Sequence, residues 1–318
     1  MVNKNNLQET DPVFSFAVSP EFSKDQTVFA ARGSGLYHSQ DGGKTWQFSL
    51  ESLGLETPLA ISCVAVSPNF TEMPHVFAAG PGGVLCSRDG GQSWYVTMLP
   101  SPPPFVTALA VSPNYAKDGI VFACTMDDGV FRSSNRGVDW TAWNFGLFDL
   151  HVLSITVSPN FADDKNVYIG TESGIFRSVN GGLGWRELDF KVENAPVVSL
   201  AIPPNIGESQ LLFAGSEERG VFYSVDRGTV WRLAEDAKLV GSVNSILLSD
   251  DNPEELCITI ANEDSIIVSR NSGQTWQPWS LDLHFDDQIL TVAAPKSVCP
   301  GSQLLVGLAD GQIVNIKD

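Results

Sequence analysis

Along the chain, apolar residues gather in short runs, and the clearest of these alternate small with large side chains at a period of two. They read Ser15-Phe16-Ala17-Val18, Cys63-Val64-Ala65-Val66, Ala108-Leu109-Ala110-Val111 and Ser154-Ile155-Thr156-Val157. Ser199-Leu200-Ala201-Ile202, Ser245-Ile246-Leu247-Leu248 and Thr291-Val292-Ala293-Ala294 continue the series. A period of two predicts β-strands. The small face suits strands that converge on an axis. Two further strand-like runs follow each copy. One is of the type Val28–Ala31, Val121–Cys124 and Val167–Gly170. The other is of the type Gly129–Ser133 and Gly174–Ser178.

A polar turn then recurs: Ser-x-Asp/Asn-x-Gly-x-x-Trp, closing at Trp46, Trp94, Trp140, Trp185, Trp231 and Trp276, with successive copies 45 to 48 residues apart. That interval fits one four-stranded propeller blade. The prediction is an all-β, seven-bladed β-propeller of four-stranded antiparallel blades, filling residues 1–318 as one domain with repeats of about 46 residues. The seventh repeat stops after its third strand. From the turn Trp to the first small residue of the next repeat is 14 residues in four of six cases, and 14 residues before Ser15 is Met1. Residues 1–10 are therefore expected to complete blade seven, with Val2–Leu7 pairing against 311–315 and closing the ring.

Within the turn, Asp41, Asp89, Asn135, Asn180, Asp226 and Asn271 are expected to hold nearby backbone N–H groups. The invariant Gly (Gly43, Gly91, Gly137, Gly182, Gly228, Gly273) suits a positive φ. The Trp packs at the blade edge with its N–H free for a partner. Because Asn replaces Asp in three copies, the reading is structural, and no metal is expected. The pattern S-x-D-G-G-x-T-W resembles the Asp-box, or BNR, repeat of sialidases, sortilin-type receptors, xyloglucan-cleaving glycosidases and photosystem II assembly-factor propellers. The Ser-Pro-Asn-Phe stretches, as at Ser158–Asp163, resemble those of bacterial members.

That resemblance implies the propeller but no single activity. A sialidase would carry an arginine triad and Arg-Ile-Pro near the first strand, where Val13-Phe14-Ser15-Phe16 stands. Arg132 and Arg177 lie on third strands, and Arg88, Arg136, Arg227 and Arg270 lie in boxes, so six arginines are repeat positions. Xyloglucan-type enzymes place one catalytic carboxylate on each of two propellers, and this chain supplies one. The histidines His38, His75, His151 and His284 are scattered, with no ligand spacing.

A formal net charge of −18 disfavours nucleic acid and anionic membrane as partners and favours a basic protein. Five scattered cysteines match neither a disulfide framework nor a zinc site. With no secretory or membrane-spanning segment visible, the expected location is cytoplasmic.

In propellers of the resembled kind, the strand two–three tips and the blade-to-blade links share the face opposite the boxes. The candidate binding rim is therefore Asp127, Asp128, Glu172, Glu217, Glu218, Glu263 and Asp264, with Phe145 and Phe148 as apolar anchors. No catalytic residue and no cofactor is expected. The reading is a non-enzymatic protein-binding or assembly scaffold; the alternative is a carbohydrate-active propeller, either glycoside hydrolase or lectin.

Overall fold

The second run of each repeat is apolar without alternation, as expected of a strand covered on both faces. The computed structural model describes residues 10–316 apart from 101, 191, 193, 194, 205–209, 250–255, 281 and 300. In it, Val76–Gly80, Val121–Thr125, Val167–Thr171, Leu212–Ser216, Cys257–Asn262 and Leu304–Leu308 are buried throughout. Each is the second strand of an antiparallel sheet whose strands follow chain order.

Seven such sheets form a seven-bladed β-propeller. Six have four strands; blade 1, for example, is Val13–Val18, Val28–Arg32, Gly35–Ser39 and Gln47–Phe48. Blade 7 has three among the described residues, Ile289–Ala293, Leu304–Leu308 and Ile313–Ile316. The expected closing segment, Val2–Leu7, lies outside the described residues. One-turn helices at Phe22–Asp25, Tyr115–Asp118 and Phe161–Asp164 bridge first to second strands. There Ser19, Ser112 and Ser158 donate to Asp25, Asp118 and Asp164 at 2.6–2.7 Å, and Phe22, Tyr115 and Phe161 are buried.

First strands pack in a circle, and Val13–Val18 also touches Ile289–Ala293, so the innermost ring is closed. A socket repeats at the seams. Val13, Ile61, Val106, Val152, Val197, Val243 and Ile289 head the seven first strands and are fully buried. On the preceding blade a small residue receives them: a Cβ on Gly170 would come within 2.6 Å of Val197, and one on Gly215 within 2.6 Å of Val243. Gly307 of blade 7 receives Val13 of blade 1 in the same way, at 2.7 Å. Close packing of this kind tolerates no added methyl. Hydrogen bonds reinforce five successive seams. Ser62, Thr107, Ser154, Ser199 and the Asn244 amide donate to the carbonyls of Val106, Val152, Val197, Val243 and Ile289 at 2.5–2.8 Å.

The box turns explain their own sequence. Ser39 Oγ accepts from Gly43 N at 2.8 Å, and Asp41 Oδ1 accepts from Lys44 N and Thr45 N at 3.0 and 2.9 Å. Where Asn135 and Asn271 stand, the side-chain bond to the residue four positions on reverses its direction. Thr45 donates its hydroxyl to Asp41, whereas Asn135 donates to Asp139 and Asn271 to Thr275. Both turn positions after the Asp have positive φ, and Arg136, Arg227 and Ser272 tolerate the first. The second demands Gly for an added reason. A Cβ on Gly91, Gly137 or Gly182 would lie 2.9, 2.8 or 2.6 Å from Phe29, Phe77 or Phe122 of the preceding blade. At two boxes the indole N–H finds a partner on the preceding blade. Trp94 Nε1 donates to Ser49 O at 2.7 Å and Trp185 Nε1 to Trp143 O at 2.8 Å. The indole reaches the backbone of the blade before it and ties the seam.

Candidate partner-binding face

Hydrogen bonds sort the loops onto two faces. Box turns meet the first turns of their own blades: Gly42 N donates to Gln26 O, Arg136 N to Gly119 O and Gly181 N to Lys165 O. On the other face the strand two–three tips meet the links. Gly129 N donates to Leu150 O, Glu217 N to Pro196 O, Gly220 N to Gly241 O and Ala309 N to Gln288 O.

Acids stand on both faces, but on the box face they alternate with Lys24, Lys44, Arg88, Lys117, Arg136, Lys165, Arg227 and Arg270, whereas on the second face they far outnumber the bases. Asp127, Glu172, Glu217, Glu218, Glu263 and Asp264 are exposed at the tips of blades 3 to 6, and Asp128 is half-buried. Asp149, Glu235, Asp236, Asp286, Asp287 and Asp310 add to them from links and the seventh tip. Among the described residues the bases on this face are Arg32, Arg219 and Lys238. Arg32 is bound to Asp11 at 3.0 Å and Lys238 to Asp236 at 3.3 Å, so both are neutralised locally.

A cluster of polar side chains joins blades 3 and 4. The His151 ring lies 3.4 Å from Asp127, 3.2 Å from Asp149 and 4.0 Å from Glu172. Asp149 also accepts from Ser173 N and Oγ at 2.8 and 2.7 Å and from His151 N at 3.0 Å. Partial burial would raise its carboxyl, but the hydrogen bonds from Ser173 and the His151 N–H outweigh this and hold it below the usual range. Asn144 clamps the neighbouring tip, donating to Asp128 O at 2.8 Å and accepting from Val130 N at 2.8 Å. Asn144, Asp149 and His151 thus fix the tips; the sequence singled out neither Asn144 nor the convergence on His151. One signal was present: Asn and Asp placed where a chain leaves a fourth strand favour side chain–backbone closure.

The two anchor phenylalanines separate. Both are almost fully exposed, Phe145 at 84% and Phe148 at 85%. Phe148 adjoins Asp149 on the acidic face. Phe145 O accepts from Trp185 N at 2.8 Å, and its ring borders Gly184, so it stands at the outer edge beside box 4. The ring axis holds a narrow channel of about 300 Å³ lined by first-strand residues, Phe14, Ser62, Thr107 and Leu153 among them.

Among the described residues, no His, Cys, Asp and Glu group of three or more has the arrangement of a metal site. No helix among them is long and apolar enough to cross a membrane. No disulfide joins the five cysteines, all of them among the described residues, and burial pushes the thiols of Cys63 and Cys86 up to about 12.

These features define the class: a seven-bladed propeller built from Asp-box repeats. The BNR/Asp-box repeat model matches residues 37–48. No curated protein sequence matches significantly. Solved structures do. YCF48 from Cyanidioschyzon merolae is 16% identical with a TM-score of 0.67, over 98% of this chain and 97% of that one. YCF48 has also been solved bound to a D1 peptide, at 16% identity and a TM-score of 0.66, over 98% of this chain and 95% of that one. The GH74 xyloglucanase from Xanthomonas campestris is 16% identical with a TM-score of 0.73, over 95% of this chain and 51% of the enzyme. The GH74 enzyme from Niastella koreensis is 15% identical with a TM-score of 0.75, over 97% and 52%. The chain spans about half the length of these GH74 enzymes, and at such identities the likeness is one of fold.

Proposed function

We propose that this protein is a non-catalytic assembly module that binds a basic region of a protein partner on its acidic loop face. The observation that carries this reading is the division of charge, with acids at the tips of four consecutive blades and few bases to offset them. A field of this kind speeds encounter with a cationic partner, and exposed apolar side chains such as Phe148 supply affinity at close range. A propeller similar to this chain along its whole length has been solved with a peptide bound, which supports a peptide-binding use of the scaffold.

The test is capture of partners from the native host by the parent, by Glu217→Lys/Glu218→Lys and by Phe148→Ala. Both variants are expected to lose the same basic partner while folding normally. Retention by both, or saturable oligosaccharide binding with glycan hydrolysis, would overturn the reading in favour of the carbohydrate-active alternative, which the likeness to GH74 enzymes supports.

A further inference from the structure

The boxes contain a comparison internal to the repeat. Two box positions, the residue after the Ser and the residue after the invariant Gly, are open to solvent in boxes 1, 2 and 6 and take no part in the turn there through their side chains. In boxes 1, 2 and 6 they are Gln40 and Lys44, Arg88 and Gln92, and Arg270 and Gln274. In boxes 3, 4 and 5 apolar residues enter: Val138, then Val179 with Leu183, then Val225. Val230 joins them one position further along. Val138, Val179, Val225 and Val230 are 42, 62, 55 and 51% exposed. The fold does not require them, because three sister boxes make the same turn with polar residues.

The neighbouring outer strands continue the band. Phe145 and Val179 border a cleft of about 520 Å³ at the seam of blades 4 and 5, and Val225 and Leu233 border one of about 690 Å³ at the seam of blades 5 and 6. Exposed apolar residues that recur at the same edge of three adjacent blades mark an interface. Charge decides its occupant. Six of the ten arginines, Arg132, Arg136, Arg177, Arg186, Arg227 and Arg232, belong to the third strands, boxes and fourth strands of blades 3 to 5. Arg186 and Arg227 are exposed with no ion-pair partner among the described residues, Arg232 is exposed and its charge acts on Asp226, and exposed Glu187 sits beside Arg186. Asp139, Glu187 and Asp189 are exposed on the same edge, so on a chain of net charge −18 it is close to balanced, and a second copy meets less repulsion there than at the loop face. Under a two-fold axis the same mixed edge is self-complementary, Arg of one copy facing Glu of the other.

We infer that the box-side edge of blades 3 to 5 is a homodimer interface, apolar at its centre and salt-bridged at its margin. Homodimer interfaces are the more apolar kind, and two-fold dimers the commonest assembly. The acidic loop face stays free in such a dimer, so two partner sites are presented.

Sedimentation velocity across the micromolar range tests this. The parent is expected to sediment as a dimer. Val179→Gln with Val225→Arg, which installs residues that boxes 1 and 2 already carry, is expected to weaken association by at least roughly tenfold with an unchanged melting temperature. Glu217→Lys/Glu218→Lys is expected to leave the dimer intact. A parent that stays monomeric overturns the inference, as does a dimer that survives the box variant. A monomer whose captured partner is lost in the box variant likewise overturns it and assigns the edge to a different protein.

Discussion

The box face and the loop face are made by the same seven repeats, yet they differ in how much the repeat dictates. On the box face the turn must bend through two left-handed residues, bring its Gly against the preceding blade and satisfy several N–H groups from one carboxylate or amide. The close approach holds at five of the six boxes, Gly273 alone having no atom of the preceding blade within 4 Å of a Cβ, so the residues recur. On the loop face the tips need only reach the adjacent link, and they do so by different means: an Asn144 clamp in blade 3, Asp149 with Ser173 in blade 4, and in blade 5 a backbone bond from Gly220 to the link with Ser216 closing the tip on itself. Where geometry asks less, chemistry is free to diverge, and there the charge accumulates.

Substitutions at matched glycines should expose the difference most strongly. Gly182→Ala forces a side chain into φ +83 and within 2.6 Å of Phe122, and is expected to destabilise by about 3 kcal/mol. Gly174→Ala, at a loop-face tip with nothing within 4 Å, is expected to stay within about 0.5 kcal/mol of the parent. Denaturant unfolding measures both, and equal costs would erase the distinction between the faces.

A smaller effect is expected from the turn carboxylates. Asp89 accepts from Gln92 N, Ser93 N and the Ser93 hydroxyl, so Asp89→Ala should cost about 1–2 kcal/mol.

The pH dependence sharpens the same point. The Thr45 hydroxyl and N–H hold Asp41 well below the usual carboxylate range, and the Val230 N–H with the Ser224 hydroxyl lowers Asp226. A lowered folded value means stability that is complete above the unfolded value of about 4 and is lost as pH falls below it. Asp41→Asn/Asp226→Asn, using the amide that boxes 3, 4 and 6 carry, should therefore flatten the acid limb of the melting curve while changing neutral stability little. An unaltered acid limb would show that these turns do not govern acid unfolding.

The smallest expected stability effect is at the tips. Glu217→Lys/Glu218→Lys, fully solvent-facing, should move stability by less than about 0.5 kcal/mol.

Much of the box face was legible in the sequence because repetition averages out chance. Six copies of the turn gave the blade length, and seven small/large strands gave the blade number. The positive φ of Gly43 and its counterparts followed from their invariance. Their contact with Phe29, Phe77 and Phe122 did not, since it joins residues one blade apart with no local signature. The same holds for the indole bonds of Trp94 and Trp185. On the loop face the acids could be listed, but the convergence of Asp127, Asp149 and Glu172 on His151 depends on two blades meeting. Phe145 and Phe148, three residues apart in one link, stand at different places because the link turns from the outer edge to the acidic face between them.

The central claim is that the acidic loop face, not the box face, meets the partner. The most direct measurement is the association rate of the captured partner against ionic strength for three proteins: the parent, Glu217→Lys/Glu218→Lys and Asp89→Asn. The parent should associate fast at low salt and slow steeply as salt rises. The tip variant should be slowed roughly tenfold at low salt with a flatter salt dependence, and the box variant should match the parent. A tip variant that associates like the parent, together with a box variant that fails to bind, would contradict the account.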